Sequence, residues 1–473
     1  MKNWETLSRL PRRKIENIQN KKLRFFIKHL LPFHPFLRDH LKKHAIKPSD
    51  IQNTGDLQKI PLISKQDILP TENIPDKPRQ FILQPDTAAI KKHYPKSRLI
   101  KYMITGNLHE SLEREFKPIH IHFTTGRSSA QIPFLYSARD LATLAQTGSR
   151  IFQTAGLAKE DIVVNAFPFA PHLAFWQVQK ATEAVGIRCL HTGGGKILGT
   201  EKILNALQKM EATILISLPG YGYHLVKEAK RQGRNFPKLR HIIFGGERVS
   251  PGLREKIKGM FPDVTILSTF ASTEAKTAWV QCHEESGYHL YPDLEFVELV
   301  DEEGQRVKEG QPGEIVYTAL DWRGSTVMRY RTGDMCAGLT YEPCTHCGRT
   351  TPRLHYEIER KSEHKELRLS KVKGELVNLN AFYPLLNGMK EIDEWQVEIR
   401  KKDNDVFELD ELHVNVACVH GEECTACDVM VEEYVARELA VRPVVNMHDR
   451  QLLINALGME SELKEKRIVD RRV

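Results

Sequence analysis

The chain has 473 residues, 41% of them hydrophobic, and a formal net charge of +8. That is too long for one small core and ordinary in composition for a globular enzyme, so two domains are expected. No apolar run approaches the ~18 residues a bilayer span needs, and the basic residues form no dense stripe with interleaved aromatics, so a membrane-spanning helix and nucleic-acid binding are both disfavoured, while a polyanionic ligand such as a nucleotide suits the charge.

The opening stretch "MKNWETLSRLPRRKIENIQNKKLRFF" has no apolar core and no small-residue cleavage site. It is not expected to be a secretory signal, and the cytoplasm is the expected compartment. Eight cysteines in that compartment are expected as thiols or metal ligands rather than disulfides. Residues 4–46 read as charged amphipathic helices broken near Pro32 and Pro35. Residues 72–118, rich in Pro and Lys, read as an irregular surface insertion or lid. From Asp161 strands and helices alternate: "DIVVNAF", "IRCLHT", "TILISL", "LRHIIFGG" and "VTILSTF" are strand-like, with helical segments between them. Such alternation predicts an α/β core with a largely parallel sheet, whose ligands gather at the loops after the strands. "FVELVDEEGQRVKEGQPGEIVYTAL" predicts two strands, and beyond residue 360 a small α+β unit follows.

Five loops could carry chemistry. "FTTGRSS" (123–129) is a hydroxyl-rich turn that could hold phosphate oxygens, or an ordinary Ser/Thr turn. "FGGERVS" (244–250) exposes Gly245, Gly246 and Glu247 after a buried strand, for close approach of a ligand or simply for a tight turn. In "STFASTEA" (268–275), Glu274 could coordinate Mg²⁺ or be a solvated acid near a helix N-terminus. In "YRTGD", Asp334 could accept from a ribose diol or close an Asx-turn. Lys464 and Lys466 sit in a basic tail, "SELKEKRIVDRRV".

Taken together, the order and spacing of these loops resemble the adenylate-forming superfamily, and most closely its phenylacetate–CoA ligase family, over almost the whole chain. "FTTGRSS" is similar to that family's phosphate loop, "FGGERVS" to its "FGAE" loop, and "STFASTEA" to its "YGxSE" motif. "MRYRTGD" resembles the ribose-binding strand, "CTHCGRTTPRL" the "CxCGRTxPRI" stretch, and "SELKEKRIVDRR" the terminal "SEGKAKRVIDxR". The resemblance implies a large N-terminal α/β adenylation domain (residues 1–358, with the insertion) and a small mobile C-terminal α+β domain (359–473). It implies a nucleotide site of Thr124, Thr125, Gly126, Gly245, Gly246, Glu247, Phe270, Ala271, Ser272, Thr273, Asp334 and Arg349. Phe270 would stack on adenine, Glu274 would hold Mg²⁺, Asp334 would bind both ribose hydroxyls, and Lys464 would contact the α-phosphate. Tyr136, Phe169, His172 and Trp176 would line the acyl pocket.

The sequence departs from the family pattern in several places, among them the insertion at 72–118 and extra residues between Arg360 and Lys373. Ile121, His122 and Phe123 stand where the phosphate loop has Ser-Ser-Gly, Arg127 replaces its Lys, and Leu463 replaces the glycine before the catalytic lysine. Cys344-x-x-Cys347 is half of a tetrahedral zinc site. The resemblance supplies the other half as Cys282 and His289, with His283 a rival. A second cluster, Cys418, His420, Cys424 and Cys427, is either another metal site or buried cysteine at a helix start.

The implied activity uses ATP and Mg²⁺ to convert a small carboxylic acid, of aromatic type, to acyl-AMP and then to a thioester with coenzyme A. The zinc would be structural. Neither nucleic acid nor membrane is an expected partner, and a homodimer is left open. The alternatives are a ligase that passes the acyl group to an amine, a carrier protein or a protein cysteine, and a non-catalytic nucleotide-binding regulator.

Overall fold

Three neighbouring strands, Ile162–Asn165, Ile214–Ser217 and His241–Gly245, run parallel, pairing Val163 with Ile214 and Leu215 with Ile242. They are short and almost wholly apolar because the helices around them, Thr200–Lys209, Pro219–Arg231 and Pro251–Met260, bury them. The computed structural model describes residues 3–124, 131–360, 369–372, 375–401, 410–419, 427–439, 441–461 and 465–471. It forms two units: Met1–Asp161 with Ala170–Arg188 and Leu267–Glu359, and Ile162–Phe169 with Cys189–Ile266 and Arg360–Val473. The last segment of the second unit begins just past the expected boundary at 358. That unit also takes in two pieces of the first 358 residues.

In the first unit, Arg12–His29 is helical because Ile15, Gln19, Leu23, Phe26 and Ile27 recur on one buried face. The helix Ala138–Thr154 starts at a capping box, Ser137 with Asp140. Gly148 lets it approach the helix Leu173–Val185 closely, since a side chain there would collide with Ala181. Glu295–Val300, Gly313–Ala319 and Tyr330–Cys336 form an antiparallel sheet, its first two members being the two strands expected from that segment.

Two expectations need correction. Residues 72–118 are not irregular: Thr87–His93, Lys96–Thr105 and Leu108–Phe116 are helices, the first and last capped by Asp86 and Asn107. The segment is anchored rather than loose. Tyr94 and Phe116 are buried, and Glu115 pairs with Arg323 at 2.7 Å. Its many lysines are on the solvent side, which hid the short amphipathic faces. Nor are all the cysteines thiols or metal ligands. Cys418, ending a strand, and Cys427, starting a helix, form a disulfide, while His420 and Cys424 lie outside the described residues.

The C-terminal part of the second unit has strand order Val444–Met447, Asp410–Cys418, Ile392–Lys401, Ile468–Asp470, with the central pair antiparallel and both edges parallel. Its helix Arg450–Leu457 sends Leu453, Ile454 and Leu457 into the core of the parallel sheet. Among the described residues, no helix is long and apolar enough to cross a membrane.

Candidate active site and metal centre

In the first unit, Glu274 lies in a hairpin turn rather than near a helix N-terminus. The strands Thr265–Ser272 and Thr277–Val280 pair antiparallel, Phe270 opposite Trp279 and Ser272 opposite Thr277. The turn needs a left-handed residue, and Lys276 supplies it with φ 59°. The Lys276 ammonium offsets that cost through three short bonds, to Leu135 O at 2.8 Å, Asp140 Oδ2 at 2.9 Å and Arg323 O at 2.7 Å. Glu274 is thereby held with its two oxygens accepting from Ser272 Oγ at 2.8 Å and Tyr330 Oη at 3.1 Å. A carboxylate oxygen has two acceptor sites, so capacity remains for a cation. Ala271 is exposed, Thr273 is half-buried and Ser272 is buried. The Phe270 ring is half-buried, 5.6 Å from that of Trp279 and 6.0 Å from that of Tyr288.

Tyr330 begins the strand that carries Asp334. Between the pairs Glu314–Met335 and Val316–Arg331 the register shifts, so Thr332, Gly333 and Asp334 face Ile315 alone. Gly333 permits the bulge with φ 77°, and Thr332 Oγ1 both donates to Ile315 O at 3.0 Å and accepts from Asp334 N at 3.1 Å. Bulges re-aim side chains, which explains why Thr-Gly precedes this buried aspartate.

Tyr136, His172 and Trp176 also lie in this unit. Tyr136 meets His122 edge to face at 4.9 Å, and Trp176 meets His120 at 5.4 Å. His172 Nδ1 is 3.1 Å from Phe123 O. His120 and His122 are not among the expected site residues. The signal was present, since His-x-His on a strand puts both rings on one face. Thr124 is buried at the base of its loop, its Oγ1 accepting from Ile132 N at 3.1 Å. Thr125 and Gly126 lie outside the described residues. Arg349 is engaged elsewhere, donating to Glu5 at 2.8 Å and to Gln153 O at 3.3 Å.

The second unit holds the remaining expected residues. Gly245 ends its strand, and Gly246, at φ 83°, turns the chain so that Glu247 faces a cleft with Pro168, Gly195 and Tyr221. Met459 and Glu465 line the same cleft. Gly220 has no room for a side chain because the Glu465 carboxylate occupies that space, and Arg467 holds the carboxylate at 3.0 Å. Lys464 lies outside the described residues. Phe169 is 56% exposed, its N–H donating to Gly193 O at 3.2 Å.

Cys282, His289, Cys344 and Cys347 converge, all four ligand atoms within 4.8 Å of one another. Tyr288–His289 pairs with Arg353–Leu354, which pairs with Leu339–Thr340, so the small sheet carries His289 to the CxxC loop. Cys282 Sγ is 3.5 Å from Cys344 Sγ, and Cys347 Sγ is 3.6 Å from His289 Nε2. Tetrahedral zinc with ordinary bond lengths needs S–S and S–N edges of about 3.8 and 3.6 Å, so the donors fit. Thr351 Oγ1, 3.4 Å from His289 Nδ1, can orient the ring. The rival His283 stacks on His346 instead, at 4.2 Å. Without a metal, hydrogen bonds from Cys282 and Cys347 push the Cys344 thiol below its ordinary range, and Cys282 rises for the same reason. Three sulfurs at this spacing are otherwise costly to keep.

Residues 124–329 match the AMP-binding enzyme family. A phenylacetate–coenzyme A ligase of Thermus thermophilus is 24% identical over 353 residues, covering 74% of this chain and 71% of the relative. That of Pseudomonas putida is 25% identical over 343 residues, covering 71% and 70%. By these matches the chain is similar to the phenylacetate–CoA ligases of the adenylate-forming superfamily. The fold agrees. A 2-hydroxyisobutyryl-CoA ligase crystal structure, in complex with an acyl adenylate, superposes with a TM-score of 0.74 at 20% identity over 99% of this chain and 92% of that one. The chain thus keeps the α/β adenylate-forming fold although four residues in five differ from that structure.

Proposed function

We propose that this protein is an AMP-forming acid–CoA ligase acting on an aromatic carboxylic acid. A carboxylate oxygen of the acid attacks the α-phosphorus of ATP. The bond from that phosphorus to the bridging oxygen breaks, and pyrophosphate leaves. The thiolate of coenzyme A then attacks the acyl carbonyl, and AMP departs. The observation that carries this reading is the meeting of two motif loops in one unit: Glu274 is bonded to Tyr330, four residues before Asp334 on the same strand. In this reading Phe270 stacks on adenine, Asp334 accepts from both ribose hydroxyls and Lys464 neutralises charge on the α-phosphate. Glu274 would hold Mg²⁺, which when bound would supply neutralisation of phosphate charge. The protein's own share is positioning and preorganised charge. Residues 1–358 serve as the adenylation domain. Residues 359–473 serve as the mobile domain, hinged near Arg360, that separates the two half-reactions. Cys282, His289, Cys344 and Cys347 would hold zinc, and a set of three cysteines and one histidine would give it a structural role.

Pyrophosphate exchange with a panel of carboxylic acids tests the activity directly; no exchange with any acid would sink it. Asp334→Ala should weaken ATP binding more than tenfold, because hydrogen bonds to a charged acceptor contribute ~1.5–3 kcal/mol each and two are lost. Calorimetric titration reads this, and unchanged ATP affinity would reduce Asp334 to a residue of the bulge.

A further inference from the structure

The rings around Tyr136 enclose two polar atoms that nothing in the described chain satisfies. The Tyr136 hydroxyl and His122 Nδ1 have no hydrogen-bond partner, and both side chains are fully buried. A buried polar atom without a partner is costly, and two in one cluster point to a missing third party. The two rings are 4.9 Å apart. His120 sits beside them, its Nε2 3.2 Å from His122 Nε2. His120, His172 and Trp176 remain partly exposed, so the cluster is fully buried at Tyr136 and His122 and reaches solvent on the side of these three residues.

The neighbouring charges decide what kind of partner fits. The Lys276 ammonium lies 4.7 Å from the Tyr136 ring centroid, but its three N–H donors are already used by Leu135, Asp140 and Arg323. Burial, then the charges of Asp140 and Glu274, raise Tyr136 well above the ordinary phenol range, so it is a neutral hydroxyl. Burial, then His120 and His172, lower His122 to about 3, so it is a neutral imidazole. Two neutral groups do not repay the dehydration of a second carboxylate or of an ammonium. They suit a neutral partner. When His122 Nε2 accepts from His120, Nδ1 carries the proton and donates; in the other tautomer Nδ1 accepts. A hydroxyl donates once and accepts twice, so it satisfies Tyr136 and His122 in either case. The rings of Tyr136, His120 and Trp176 meet edge to face, the arrangement in which aromatic side chains also favour a flat aryl group.

We infer that the acid activated by this protein carries a hydroxyl on an aromatic ring, bound by Tyr136 Oη and His122 Nδ1. This rests on the ligase reading and adds the substrate class to it. The test is binding, independent of turnover. The full chain is titrated calorimetrically with ortho-, meta- and para-hydroxy benzoates and phenylacetates, each against its methyl counterpart. At least one hydroxy acid should bind about tenfold or more tightly than its counterpart, because the analogue leaves both buried groups unpaired. Tyr136→Phe should shrink that preference to about twofold, and His122→Phe should shrink it too. Tyr136→Phe removes only an unpaired oxygen, so a single melting transition at or above that of the wild type will show that it folds. Equal or tighter binding of the methyl acids, a preference unchanged in both variants, or no binding by any acid would each overturn the inference. ATP-dependent pyrophosphate release on the same panel separates the two claims. A hydroxyl preference in binding without pyrophosphate release sinks the ligase reading and leaves the pocket. Equal turnover of methyl and hydroxy acids sinks the pocket and leaves the ligase.

Discussion

Lys464→Ala should cut acyl-AMP formation by ~100-fold or more, the scale on which a preorganised charge at a developing anion acts. The expectation comes from the frame "SELKEKRIVDRR", which puts Lys464 rather than Lys466 at the family's catalytic position. Its neighbours support it. Met459 and Glu465, on either side in sequence, line the cleft that also holds Glu247. Arg467 clamps Glu465, and Lys466 N donates to Leu457 O at 2.9 Å, so the tail is not a free solvated end. The variant should still convert synthetic acyl-AMP and coenzyme A to thioester, because that half-reaction expels no pyrophosphate. Lys466→Ala should be milder, its side chain being exposed. Single-turnover assays of each half-reaction read the difference. An equal fall in both halves would make Lys464 structural. No change in either would mean that Leu463, in place of the family's glycine, has carried the lysine out of the site.

Metal analysis of the purified protein should show about one zinc per chain, and Cys344→Ser should lose it together with several kcal/mol of stability. The binding energy of a structural zinc is folding energy, on the order of 10–16 kcal/mol in small zinc domains, part of which a large core can absorb. The loss should be local as well as global. Tyr288, next to the ligand His289, bonds to Ser268 Oγ at 3.0 Å and packs against Phe270, so removing the metal should also loosen the expected adenine platform. Prolonged chelation should therefore lower the melting temperature and weaken ATP binding together, whereas His283→Ala should retain the zinc. A metal-free wild-type protein of undiminished stability would refute the assignment.

The sequence by itself determined the order of the chemistry. Strand–loop motifs repeat at spacings that are readable locally, and so are the parallel core, the glycines 245 and 246, the Thr-Gly-Asp turn and the CxxC. Each is a short-range pattern: a run of apolar residues, a left-handed position, a pair of ligands one turn apart. What lay between distant segments was decided only by the tertiary structure. His289 over His283 is a matter of strand pairing with Arg353–Leu354, which no spacing rule reports. That Thr332–Asp334 bulge out of the ladder follows from register against Ile315, not from the turn residues alone. No short-range pattern singles out Lys276, and it is buried because Asp140, Leu135 and Arg323, from distant segments, converge to consume its three donors. Burying a charge is affordable only where folding assembles its partners, and partners assembled from far along the chain leave no periodic trace in it.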